Sequence, residues 1–175
     1  MEFIVLGLLM IQDLTVYQLN QAFGSGLSLI YSASYGSLLS ALKKLLKLGH
    51  VAFVETVENG RNKKIYHITE SGRAYFYQWM HDDIPESKLE TTALSKVFFL
   101  GLITDKEDKR KILQSIVYAI TEMENQLLAM STSLSNLKLD ENAMRIYGYQ
   151  FKTLDYGIRS HRIAREWGQE LLDEL

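Results

Sequence analysis

Seven residues in one short stretch, Ser34, Tyr35, Ser37, Ser40, Lys43, Lys44 and Lys47, have the chemistry of a surface that meets a polyanion. Hydroxyls exchange hydrogen bonds with base edges, and ammonium groups neutralise phosphates. A second cationic group follows at Arg61, Lys63 and Lys64. Taken singly, a lysine cluster is as often a solvated helix face, and a charged strand is a common guard against aggregation. The conjunction of the two at this separation favours double-stranded DNA as the partner.

Other chemistries find little support. The histidines, His50, His67, His81 and His161, are scattered with no two at ligand spacing, and His81-Asp82-Asp83 reads better as a helix end than as a cation site. The absence of cysteine excludes disulfides, thiolate-bound zinc and thiol nucleophiles, and fits a reducing compartment. Gly24-Ser25-Gly26 lacks the lysine and the preceding strand of a phosphate loop. The expectation is a protein that is not an enzyme and carries no cofactor or metal.

The charge distribution agrees with a front half that meets DNA. Residues 1–80 carry seven Lys/Arg against five Asp/Glu, whereas residues 81–175 carry twelve against sixteen. With 47% hydrophobic and 23% charged residues the chain is ordinary globular material, so disorder is not expected. The apolar run Phe3 to Ile11 follows Glu2 and is too short to span a bilayer, which points to a cytoplasmic protein without membrane association.

The elements that must position these residues can be read in order. Phe3 to Ile11, apolar on all sides, suits a helix buried in a small core. Thr15 and Gln18 have capping-box spacing and start a second helix, with Tyr17, Leu19, Ala22 and Phe23 as its packing groups and Gly24-Ser25-Gly26 as its end. A third helix is expected after Ser32, with Leu38, Leu42, Leu45 and Leu46 beneath and the serines and lysines above. Gly49 stops it. Val51 to Val57 and Lys63 to Ile68 flank Asn59-Gly60 as a hairpin, and Thr69 caps a helix running through Tyr75, Phe76 and Trp79. Helix, helix, helix, hairpin, helix is the order of a winged helix-turn-helix.

At this point the residues resemble the PadR-like family of transcriptional regulators. The matching stretches are Ile4-Val5-Leu6-Gly7-Leu8-Leu9, Thr15-Val16-Tyr17-Gln18-Leu19, Gly36 through Leu45 with Gly49-His50-Val51, and Glu58 through Gly72, ending in Thr69-Glu70-Ser71-Gly72. Two positions depart from the family pattern: Leu39-Ser40 stands where Tyr-Pro is usual, and Asn62 where proline is common. Tyr35, one turn earlier, is the expected replacement for the missing tyrosine. Leu94 to Gly101, Tyr156-Gly157-Ile158 and Glu166-Trp167 are similar to the longer subfamily, of virulence-gene-activator type, with a helical C-terminal domain. The resemblance implies a regulator, expected to be a repressor, and some family members respond to ligands. Tyr75, Trp79, Phe98, Phe99, Tyr156 and Trp167 are the candidates for a pocket that takes a small aromatic effector, with ordinary core packing as the alternative.

Pro85, the only proline, lies in a polar interruption and marks the domain boundary. Residues 1–83 are read as the DNA-binding domain and 84–175 as a helical dimerisation domain. Thr104 and Glu107 look like a second capping box. Ile112, Ile116, Ile120, Met123, Leu127, Met130, Leu134 and Leu137 then repeat at coiled-coil spacing. Asn136 to Asp140 supplies a turn, and Met144, Tyr147, Phe151, Leu154 and Ile158, with Ile163, Trp167, Leu171 and Leu172, form a second stripe.

The expected fold is therefore mainly α with a small β-hairpin: a winged helix-turn-helix followed by an antiparallel pair of long helices. Two such helices alone cover each other poorly, which favours a homodimer on a palindromic operator. The competing function is a helical protein–protein interaction module that uses the winged domain for docking, against which the cationic hairpin speaks.

Overall fold

A computed structural model of the chain describes residues 1–25, 34–58, 61–137 and 139–175, with only the backbone at 58 and 61. Gly26, Ser32, Asn59, Gly60 and Lys138, which enter the sequence reading, lie outside the described residues. Two compact units result: 1–83 with 90–104, and 84–89 with 105–175.

The first unit is built around α1 (Glu2–Ile11), whose residues Ile4 to Leu9 are all buried. Helix α2 (Val16–Gly24) starts at Thr15, and the capping box is complete: the Thr15 backbone N–H donates to Gln18 Oε1 at 2.9 Å, and the Gln18 N–H donates to Thr15 Oγ1 at 3.3 Å. Leu19 and Phe23 face the core, whereas Tyr17, expected among the packing groups, is exposed because it lies on the opposite side of the helix. Helix α3 (Tyr35–Lys47) buries Leu38, Ala41, Leu42 and Leu45, positions at spacings of three and four that form one underside. Burying each leucine contributes about 1.5–3 kcal/mol.

Strands β1 (Val51–Glu58) and β2 (Arg61–Ile68) form an antiparallel ribbon in register from Val51 opposite Ile68 to Glu58 opposite Arg61. Its base is tied to the preceding helices by Leu14, which exchanges backbone hydrogen bonds with Tyr66 at 3.0 and 2.9 Å. Helix α4 (Glu70–His81) begins at Thr69, whose hydroxyl accepts from the Gly72 N–H at 3.1 Å. Any side chain at Gly72 would meet the His50 carbonyl, since a Cβ there falls 2.1 Å from that oxygen. These elements make a winged helix-turn-helix.

Helix α5 (Leu89–Phe98) opens the segment that returns to this unit, although the sequence reading placed everything after residue 83 in the helical part. The reason is packing. Phe99 lies flat against α1 at Gly7, where a Cβ would be 2.6 Å from its ring, and meets Phe76 edge-on at 5.8 Å. Lys96 is buried in the same place.

The second unit is a helical hairpin of α6 (Lys106–Ser135) and α7 (Glu141–Asp173). Asp105, not Thr104, caps α6, its carboxylate accepting from the Asp108 N–H at 2.8 Å. The capping pattern is displaced by one residue because a carboxylate is available there to take the N–H. Asp140 caps α7 in the same way through Ala143 at 2.7 Å. Val117 faces Gly168, Glu124 meets Arg162 and Arg165, and Leu127 faces Gly157, so the two helices run antiparallel.

Packing along the hairpin is uneven. Ile112, Leu113, Ile116 and Ile120 are buried, but Met123, Leu127 and Leu134 are half-buried and Met130 and Leu137 exposed. Among the described residues from 125 to 157, none is buried. At the boundary sits Glu124, 5% exposed, whose carboxylate accepts from Arg165 Nε at 2.8 Å and from Arg162 Nε at 3.2 Å.

The Arg165 hydrogen bond, aided by that from Arg162, holds the Glu124 carboxyl below the ordinary carboxylate range despite its burial. A lowered folded value stabilises the fold above the ordinary carboxylate pKa, and this contribution is lost as pH falls through the folded value. Thermal melts should therefore show Glu124→Gln less stable than the native chain at pH 7, with the gap closing towards pH 3. A gap independent of pH would remove the ionised carboxylate as its source.

Candidate nucleic-acid interface

Helix α3 owes its outward face to its apolar underside. With Leu38, Ala41, Leu42 and Leu45 buried, Gly36, Ser40, Lys43 and Lys47 fall on one exposed line at spacings of four, three and four. Tyr35 is exposed on the first turn beside that line. Lys44 lies off it and pairs with Glu2 at 2.8 Å, the hydrogen bond that its ammonium donates to the Glu2 carboxylate raising the ammonium pKa. Part of its charge is thus met within the protein.

Two of the predicted groove-side hydroxyls have another task. Ser34 Oγ accepts from the Ser37 N–H at 3.2 Å, and Ser37 Oγ donates to the Ser34 carbonyl at 2.7 Å. Together they close the start of α3 at Ser34, two residues beyond Ser32, after which the helix is expected. Ser40 and Tyr35 are the polar side chains presented outward in the first half of the helix, and Leu39 is half-buried at its flank.

On the wing, alternation separates the predicted cations. Lys64 lies opposite Glu55 and on the same side as Phe53, its ammonium 3.3 Å from the Glu55 carboxylate and 4.2 Å from the Phe53 ring centroid. Lys63, opposite Thr56, belongs to the other face of the ribbon and is half-buried. Arg61 stands opposite Glu58, and its side chain lies outside the described residues. Val54 and Val57 are exposed on β1, an apolar component the charge-based reading passed over.

The aromatic candidates fall into both units. In the first, Phe3 stacks on Trp79 at 4.7 Å and 6° and lies 5.0 Å from Tyr75, which in turn stacks on His50 at 4.6 Å. His50 Nδ1 is 2.7 Å from Ser71 Oγ. Phe99 is buried and Phe98, beside it, is exposed. Lys96, 1% exposed, donates to the Asp82 carbonyl and lies 5.9 Å from the Trp79 ring; burial pushes its pKa down, opposed by Asp82 and Asp83. Phe3, His50 and Lys96 had no signal in the sequence that set them apart. In the second unit Tyr156 is exposed on α7 and Trp167 half-buried.

Among the described residues no group of three or more His, Asp or Glu is placed to hold a metal ion. His81 Nδ1 lies 2.9 Å from the Tyr77 carbonyl, at the end of its own helix. No described helix is long and apolar enough to cross a membrane.

The chain is similar to known proteins at three points of reference. The negative transcriptional regulator PadR of Bacillus subtilis (strain 168) is 29% identical over 110 residues, which are 61% of this chain and 60% of that protein. The match thus spans less than two thirds of its relative's length. The crystal structure of Bacillus subtilis PadR in complex with operator DNA is similar with a TM-score of 0.45 and 21% identity, covering 99% of this chain and 97% of that one. The structure of Bacillus subtilis PadR in complex with p-coumaric acid gives 0.42 and 20%, covering 99% and 96%.

Removing the hydroxyl that starts α3 is expected to destabilise the fold by about 1 kcal/mol, the usual contribution of a serine cap. Urea unfolding of Ser34→Ala should show it, and unchanged stability would free Ser34 from the capping role. Residues 5–78, which span most of α1, then α2, α3, the wing and most of α4, match the model of the transcriptional regulator PadR-like family.

Proposed function

We propose that the chain is a cytoplasmic, sequence-specific DNA-binding transcriptional regulator, a repressor that occupies a palindromic operator as a homodimer. The observation that carries the reading is the exposed line Ser40, Lys43 and Lys47 on α3, next to a wing with cations on both faces. The major groove admits a helix, and phosphates flank it within reach of a neighbouring ribbon. The PadR-like match over 5–78 and the negative regulator among its relatives support the same reading.

Roles follow from exposure. Tyr35 and Ser40 approach base edges, Ser34 and Ser37 set the helix start that presents them, and Lys43, Lys47, Arg61, Lys63 and Lys64 meet phosphates. Lys44 joins them by exchanging Glu2 for a phosphate, and Lys64 meets one by exchanging Glu55. Fluorescence anisotropy with the duplex upstream of the protein's own gene tests this. Lys43→Ala with Lys47→Ala should weaken binding and flatten its salt dependence by about two units of slope. An unchanged slope would take α3 out of the interface, and no binding to any duplex at low salt would favour the protein-docking reading.

The homodimer rests on the second unit. From 125 to 157 no described residue of the hairpin is buried, and α7 carries Tyr149, Tyr156 and Ile163 at intervals of seven, 76%, 72% and 68% exposed. This stripe lies away from the face that meets α6, and a heptad repeat of exposed apolar groups suits a coiled-coil partner. A second copy related by a two-fold axis would then place two α3 helices about 34 Å apart or at a multiple of the turn. Sedimentation should show a dimer at micromolar concentration that dissociates in Tyr149→Ser with Tyr156→Ser; a native monomer there would end this part of the proposal.

Modulation by a small aromatic ligand enters through the first unit's share of the aromatic set. Its candidates there are Tyr75, Trp79, Phe98 and Phe99; Phe99 and the neighbouring Lys96 are buried and the Lys96 ammonium already donates to the Asp82 carbonyl, so a ligand at this place has to displace existing packing.

A further inference from the structure

An antiparallel helix pair held only by apolar side chains has a register problem. Hydrophobic contact is non-directional, and a slide of one turn, about 5.4 Å, exchanges one set of aliphatic neighbours for another. The problem is acute in this hairpin, because the half-buried groups beyond residue 124 would lose little on sliding.

We infer that Glu124, gripped by Arg162 and Arg165, sets the register of α6 against α7. The carboxylate is buried where the apolar repeat of α6 passes from Ile120 to Leu127, and it reaches two guanidinium groups one turn apart on α7, at 3.2 and 2.8 Å. A slide of one turn in one direction would set it against Ile158 and His161. In the other direction it would face Glu166 and Gln169. Both slides strip a buried carboxylate of its two guanidinium partners, the arrangement that an interior tolerates least. A single polar group in an apolar seam can specify alignment in this way even where it adds little stability.

The clamp stands where the packed half of the hairpin ends, so it is the last directional contact before the thinly packed arm. Val117 against Gly168 is a steric neighbour further back, where a Cβ would come within 2.8 Å of the valine. It would persist if the clamp were removed, which makes the two separable. The register concerns one chain by itself. Its consequence for how the arm offers Tyr149 and Tyr156 to a second copy rests on the homodimer reading.

The chain contains no cysteine, so engineered pairs report without interference. Gly157 faces Leu127, with a Cβ position 3.4 Å from Leu127 Cδ1. Leu127→Cys is paired with Gly157→Cys for the native register, and with Thr153→Cys or His161→Cys for the two slides. Each pair is oxidised at low protein concentration, and the intramolecular disulfide is quantified apart from any intermolecular one.

In the native background the 127–157 bridge should exceed each alternative by about tenfold, as a single alignment requires. With Glu124→Leu, Arg162→Met and Arg165→Met together, the three yields should converge to within about threefold while the melting temperature holds or rises, since apolar replacement of a buried ionic cluster is commonly neutral or stabilising. Glu124→Gln, which keeps both arginines, serves if the triple variant loses helicity, and its ratio should fall between the two. An unchanged ratio in the folded triple variant, or in Glu124→Gln where that variant is not folded, would overturn the inference and leave the Gly168 contact as the register device. A monomer in sedimentation would end the dimer reading without altering these intramolecular ratios.

Discussion

One helix with an apolar, fully buried middle dictates the arrangement of the winged unit. Helix α1 is buried from Ile4 to Leu9, so its neighbours must close around it: it packs against α2, α3, α4 and β2. Each neighbour gives it an apolar side and keeps its polar side outward, which is why the leucines of α3 point down and its lysines up. The last opening is at Gly7, where the missing side chain leaves room for Phe99 to lie flat against the backbone. A segment distant in sequence is thereby recruited to the first unit, and with it the buried Lys96, whose ammonium is held by the Asp82 carbonyl.

The second unit solves the same problem with less material. Its buried side chains on α6 are Ile112, Leu113, Ile116 and Ile120, followed by an ion cluster at Glu124, with Ile158 of α7 buried just past it. Apolar packing gives the first unit its cohesion. The hairpin depends more on direction than on mass.

What the sequence disclosed was local. The Thr15–Gln18 box, the Thr69 cap, the ribbon around Asn59-Gly60 and the underside of α3 all rest on spacings of two to four residues. The uses of individual polar groups were less legible, because a serine that caps a helix and a serine that meets a base have the same donor and acceptor. Ser34 and Ser37, expected at base edges, hydrogen-bond to each other at the helix start. Thr104 and Asp105 could both cap, and the Asp105 carboxylate takes the N–H. Glu124 and Lys96 gave no sign of burial, since their partners lie far along the chain or in its carbonyl groups. The stripe of Tyr149, Tyr156 and Ile163 was masked by the stronger inward pattern of α7, on the other side of the same helix.

The use of Ser34 and Ser37 at the start of α3 has a consequence for selectivity. With those hydroxyls turned to the backbone, the outward line offers few groups able to tell one base pair from another, and each good pairing is worth only about 1–3 kcal/mol. On the proposed reading, much of the discrimination must then come from the duplex itself: how readily a sequence narrows its minor groove, bends or twists to bring two half-sites under a fixed pair of helices. Such a regulator would rank its targets by mechanical compliance and spacing more than by the letters under its helix.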